Sequence, residues 1–299
     1  MLQSGEIERL SGAFLRLPER ATVFAGRAAR LRQLAPGHPM QEYLHFIARL
    51  ADAQQWMLQN LPPVPLPGRQ QLAQCKAHGM PPLNIQTHRR DRAWCEVLRS
   101  MLRALAEQTA DPARNIIIRL EGRRDELYEA QASKLLSSVY LGLDPATAPL
   151  IAAALQVYWV KLVLALGPEC FDRIEPQSVC PACGSRPVCS VVRIGQEAGR
   201  RYLRCSLCST EWHMVRIKCT SCESTRDIRY HGIEGGSKAV LAESCEACGS
   251  YLKILHMERE PKLEPVADDL ASTALDLLMA DTGKLRSGQN LMLIPGEQS

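Results

Sequence analysis

Apolar positions recur at helical spacing through residues 1–172 and give way to short alternating runs beyond them. In Gln41–Asn60, the residues Leu44, Ile47, Leu50, Ala51 and Leu58 share a face, with Arg49, Asp52 and Gln55 between them. A second helix is predicted over 91–110, striped by Trp94, Val97, Leu98, Met101, Leu102 and Leu105. A third runs over 124–142 through Leu127, Ala130, Leu135, Val139 and Tyr140. Residues 62–68 (PPVPLPG) break any helix and make a stiff extended connector. Asp144-Pro145 opens an apolar helix over 146–166, and Gly167-Pro168 closes it. Its stretch 149–167 is short for a bilayer span of ~20 apolar residues. It also carries Gln156 and Lys161, and a lysine near mid-span is expensive in lipid. The segment therefore reads as a buried core helix, without stable membrane insertion.

Residues 167–178 (GPECFDRIEPQS) form the natural boundary. Short β-like runs follow at 188–194, 201–204, 212–217 and 238–242, separated by turns containing glycine. Helical character returns after Leu255, best over 266–279, and the tail from Gly283 has no assigned element. The expected architecture is a helical N-terminal domain (1–172), two metal subdomains (173–215 and 216–257) and a helical C-terminal tail (258–299).

Leu and Ala are abundant while aromatics make up only 5%, which favours helices over β-sandwiches. The N-terminus lacks a basic region leading into an apolar one, so no secretory signal is expected. The thiols are therefore expected in a reducing compartment, in which paired cysteines serve as metal ligands rather than disulfides.

Eight of the twelve cysteines form four Cys-x-x-Cys pairs. The first unit joins Cys180/Cys183 to Cys205/Cys208 across 21 residues, and the second joins Cys219/Cys222 to Cys245/Cys248 across 22. This duplication predicts two Cys₄ sites, each closed by its own unit. Crossed pairing between units is the less favoured alternative. Glycine after Cys183 and Cys248 supplies the left-handed residue a knuckle needs, whereas Ser209 and Glu223 stand in those places in the other two. Each half is too short for a sufficient core, so metal would supply on the order of 10 kcal/mol of folding free energy. Chelation is expected to unfold 180–251 and spare the helical domain. Cys75, Cys95, Cys170 and Cys189 have no such partner and read as packed thiols. His213 and His231 show no ligand spacing.

A tetrahedral S₄ set accepts zinc or iron; spacing alone favours zinc, while Cys180-Pro181-Ala182-Cys183-Gly184 is a knuckle of the kind found in rubredoxins and zinc ribbons alike. Closed sites leave no position for a substrate, which argues against hydrolytic catalysis. Residues 180–251 carry ten Lys/Arg and seven acids, a net +3. Two S₄ sites with divalent ions bring that to about −1. The arginines then read as charge compensators for the sulfurs. A zinc-ribbon nucleic-acid-binding protein would keep a positive excess, and a rubredoxin-like electron carrier would not need so large a helical domain.

The strings CPACGSRPV from Cys180, GRRYLRCSLCSTEWHMVRIKCTSC from Gly199 and ESCEACGSYLKIL from Glu243 resemble the FdhE family, accessory proteins of respiratory formate dehydrogenases. The resemblance implies two rubredoxin-like subdomains binding iron at Cys180, Cys183, Cys205 and Cys208 and at Cys219, Cys222, Cys245 and Cys248. It implies a cytoplasmic partner, the catalytic subunit of formate dehydrogenase, met before twin-arginine export. The chain would be a maturation factor or chaperone and not itself an enzyme; a homodimer is compatible with that role.

Overall fold

A computed structural model describes residues 13–294. Its architecture is the expected one: a helical N-terminal region, a sheet carrying two Cys₄ groups, and terminal helices. The helices are α1 (Ala25–Leu34), α2 (Gln41–Asn60), α3 (Arg69–Ala77), α4 (Ala93–Glu107), α5 (Ala113–Glu121), α6 (Asp125–Leu136) and α7 (Ala148–Leu166). Every residue of the stripes predicted for α2 and α4 is buried. α7 is buried along nearly its whole length and is the central post of the domain. Its two polar interruptions are satisfied inside the protein: Gln156 Nε2 donates to Ser206 O at 2.7 Å and Lys161 Nζ to Leu61 O at 2.7 Å.

Two helical expectations need correction. The helix predicted over 124–142 stops at Leu136, where Ser138 takes a positive φ of 54°. Its buried face is Tyr128, Ala132, Leu135 and Leu136, while Leu127 and Val139 are exposed. Beyond the sheet, the single helix predicted over 266–279 is two, α8 (Pro265–Ala271) and α9 (Thr273–Asp281), broken at Ser272. The break has a reason: Ser272 O and Oγ both accept from Lys253 Nζ.

The strands are β1 (Leu15–Arg16), β2 (Pro187–Val192), β3 (Arg201–Cys205), β4 (Glu211–His213), β5 (Ile228–His231), β6 (Val240–Cys245), β7 (Ser250–His256) and β8 (Leu285–Arg286). They form one sheet in the order β1-β4-β3-β2-β7-β6-β5, with β8 beside β7. The duplication is visible in this order. Each unit is a knuckle, two strands, a second knuckle and a third strand: β2, β3 and β4 in the first, β5, β6 and β7 in the second. The first strand of one unit lies parallel to the last strand of the other, pairing Ser190 with Ile254 and Val191 with Leu255. The two metal units are thus halves of one sheet.

Buried charges fasten the sheet to its neighbours. Arg201 Nη2 reaches Glu243 at 2.6 Å and its Nη1 donates to Lys218 O, so one guanidinium of β3 clamps the second unit. Lys253, fully buried on β7, meets the Asp276 carboxylate at 2.6 Å and Asp269 at 3.5 Å, and Arg286 pairs with the same two acids. Arg30 of α1 forks onto Asp268 of α8, and Tyr43 donates to Met292 O, which ties the C-terminal segment to the helical domain.

Removing Lys253 leaves two buried carboxylates sharing the single charge of Arg286, and breaking a buried ion cluster in this way costs about 3–5 kcal/mol. Lys253→Ala should lower stability to urea by that amount; an unchanged midpoint would show that the cluster is solvated.

Candidate metal centres

Each centre is built from two knuckles at the ends of hydrogen-bonded strands. Cys180/Cys183 precedes β2, and Cys205/Cys208 lies in the turn from β3 to β4. In the second unit Cys219/Cys222 precedes β5, and Cys245/Cys248 lies in the turn from β6 to β7. Turns of one kind close three knuckles: Cys180 N donates to Ser185 O, Cys205 N to Thr210 O and Cys219 N to Ser224 O, at 2.8–2.9 Å. The residue after the second cysteine is left-handed in all four, with φ of 75° at Gly184, 60° at Ser209, 61° at Glu223 and 68° at Gly249. Backbone amides then point at sulfur: Leu207 N and Cys208 N lie 3.4 Å from Cys205 Sγ, and Ser221 N lies 3.3 Å from Cys219 Sγ.

The sulfurs gather into two groups that follow the duplication, Cys180/Cys183/Cys205/Cys208 and Cys219/Cys222/Cys245/Cys248, each with its four Sγ within 4.8 Å of one another. Across the first, Cys180 to Cys208 is 3.6 Å and Cys183 to Cys205 is 3.4 Å; across the second, Cys219 to Cys248 and Cys222 to Cys245 are each 3.7 Å. A tetrahedron with metal–sulfur bonds of ~2.3 Å has edges of about 3.8 Å, whereas a disulfide needs ~2.05 Å. The donor sets therefore fit a tetrahedral ion, and S₄ coordination suits zinc and iron alike.

Electrostatics point the same way. Desolvation, reinforced by neighbouring sulfurs, pushes the Cys180 thiol well up, and desolvation also raises Cys205. At Cys208 burial opposes ionisation, yet hydrogen bonds from the other thiols and from Thr210 bring it down. Four thiolates packed together need a cation, and binding one releases the protons they share.

The centres differ in surroundings. All four cysteines of the first are 0% exposed, whereas Cys222 and Cys248 of the second are exposed. The first is sewn to the helical domain: Leu83 N donates to Ala182 O and Ile85 N to Cys183 O, each at 3.0 Å. Trp159 Nε1 of α7 holds Leu83 O at 3.0 Å, and Gln156 holds the Ser206 carbonyl between Cys205 and Cys208. None of these tethers was found from the sequence; Gln156, a polar residue inside an apolar helix, was the available signal. Ser250 Oγ lies 3.0 Å from Cys248 Sγ, and Thr210 Oγ1 lies 3.2 Å from Cys208 Sγ.

Three of the arginines read as sulfur compensators are committed to carboxylates instead. Arg193 and Arg204 pair with the buried Glu211, and Arg201 with Glu243. Cys189 stands apart, its Sγ toward Pro265 O at 3.7 Å, and Cys75 and Cys95 are buried in the helical domain. His231 Nε2 meets Ser244 Oγ at 2.8 Å, and His213 stacks edge-on against Tyr202.

A helical domain sharing its core with a sheet that carries two duplicated Cys₄ groups, each able to hold a metal ion, defines a two-centre Cys₄ class of protein. Family models match along the chain: FdhE N-terminal at residues 13–174, FdhE central domain at 179–216 and FdhE C-terminal domain at 217–293. Protein FdhE of Salmonella dublin is 43% identical over 284 residues, 95% of this chain and 92% of the relative. Protein FdhE of Salmonella typhimurium is 42% identical over the same coverage. The crystal structure of the FdhE protein from Pseudomonas aeruginosa superposes with a TM-score of 0.86 at 36% identity, over 95% of this chain and 100% of that one. The chain belongs to the FdhE family.

Two measurements test the centres. A competing chelator should strip the second centre first, with little loss of ellipticity, because Cys222 and Cys248 meet solvent. Stripping the first should then unfold the sheet and destabilise the helices that share its core. Release of both metals in one phase would contradict this order. Separately, Ser209 combines a left-handed backbone with a buried hydroxyl that has no partner. Ser209→Gly should therefore stabilise the loaded protein by about 1 kcal/mol, read as a higher Tm. Glu223→Gly should gain less, because Glu223 pairs with Lys218 and accepts from Gln177 N.

Proposed function

We propose that this chain is an accessory protein for the maturation of respiratory formate dehydrogenase. It binds the catalytic subunit in the cytoplasm before export and carries iron at two Cys₄ centres, ligated by Cys180, Cys183, Cys205 and Cys208 and by Cys219, Cys222, Cys245 and Cys248. The observation that carries this reading is family membership along the chain with both Cys₄ groups assembled.

The chemistry supports a binding role rather than catalysis. Four sulfurs closing each tetrahedron leave no open position of the kind hydrolytic metal sites keep. Nucleic acid is disfavoured by the charges of the sheet, where Arg193, Arg201 and Arg204 are already committed to carboxylates. The one helix among the described residues long and apolar enough to cross a bilayer is the buried α7. The first centre, enclosed and tied to the helical core, supports a structural role for its ion.

A host lacking its own FdhE-family protein should recover formate dehydrogenase activity when supplied with this chain, and affinity capture from its cytoplasm should retain the catalytic subunit. Undiminished activity in the unsupplemented host, or capture without that subunit, would overturn the reading. Anaerobically purified protein should contain about two iron atoms and show thiolate-to-iron absorption. A colourless zinc protein that still restores activity would replace iron with zinc.

A further inference from the structure

Two cavities of about 410 and 230 Å³ adjoin where the helical domain meets the first centre, and share Ile85, Gln86, Leu136 and Ser137 as walls. The smaller is floored by residues of both knuckle loops, Gly184, Ser185, Ser206 and Leu207, and closed by Gln289 of the C-terminal segment. The larger continues along His88, Arg89 and Arg90. The common wall hangs directly on a ligand residue through Ile85 N and Cys183 O.

The groove is cationic. Arg90 is committed to Glu129, but Arg89 and Arg186 are exposed and have no carboxylate partner among the described residues. His88 Nε2 is enclosed without a hydrogen-bond partner. Hydroxyls and amides of Thr87, Ser137, Ser138, Gln86 and Gln289 line the remaining surface, as suits the main chain of an extended segment. The groove beside the exposed Trp56 differs: its Asp52 and Arg103 are already paired, with Arg32 and Glu121.

We propose that the groove over the first centre is where an extended acidic segment of the client polypeptide docks, with Arg89 and Arg186 gripping its carboxylates. Its identification with the formate dehydrogenase catalytic subunit rests on the accessory role proposed above. Because one wall is hydrogen-bonded to Cys183, the shape of the groove depends on an intact first centre, and a bound segment lies against the knuckles.

Binding of the metal-loaded protein to purified catalytic subunit, followed by interferometry at low and high salt, tests this. Arg89→Glu/Arg186→Glu should weaken binding about tenfold or more, with metal content and ellipticity unchanged, and added salt should weaken wild-type binding. Arg89→Lys/Arg186→Lys and Trp56→Ala should bind nearly as wild type. A charge-reversed protein that binds within twofold of wild type, or a Trp56→Ala variant that alone loses binding, overturns the docking site and leaves the accessory role standing. A wild-type protein that does not bind the catalytic subunit overturns the accessory role itself.

Discussion

Four sulfurs enclosed together at the seam between helices and sheet impose a condition that the surrounding chain is arranged to meet. Ionised and buried, they need a cation, donors aimed at sulfur, and a frame stiff enough to keep their spacing. The left-handed residues and the strand-end turns supply the donors. Stiffness comes from outside the unit: α7 reaches the Ser206 carbonyl through Gln156, and the loop it holds through Trp159 hydrogen-bonds to Ala182 and Cys183. The helical domain is therefore part of the first centre's scaffold rather than a separate body beside it.

The second centre has the same local chemistry with less support. Both units use the same knuckle–strand–strand–knuckle–strand plan, and β2 and β7 join them in parallel. That joint puts the first unit beneath the helices and leaves the second toward solvent, with β5 at the end of the strand order. One sequence plan thus yields one enclosed and one half-exposed set of sulfurs. Arg201, held between Glu243 and Lys218 O, makes the two halves move as one sheet.

Much of the fold was readable from periodicity. The α2 and α4 stripes are buried as patterned, because one amphipathic face against one core leaves a 3.6-residue signal. The signal weakened where two faces are covered or where the interior is polar. β7 has buried residues on both sides and places Lys253 among them, so it showed neither alternation nor an apolar run. The segment after Gly283, read as unassigned, inserts Leu291, Met292 and Ile294 into the core. Arg193, Arg201 and Arg204 meet carboxylates rather than sulfurs, because composition counts charges but does not say which partner each will find.

The sequence by itself determined the number of sulfurs, their grouping by duplicated spacing, and the resemblance that family membership bears out. The knuckles are local turns, which a Cys-x-x-Cys loop and its left-handed following residue specify over half a dozen positions, and the repeated spacers of 21 and 22 residues carry the grouping. Only the tertiary structure decided which centre is enclosed, that the two units are one sheet, and that arginines with no carboxylate partner among the described residues rim a groove against the first knuckles. Each of these depends on contacts between residues far apart in the chain, such as Gln156 with Ser206 and Ser190 with Ile254. Such contacts are fixed by packing geometry and by where buried charges find partners, and neither leaves a periodic trace in the sequence.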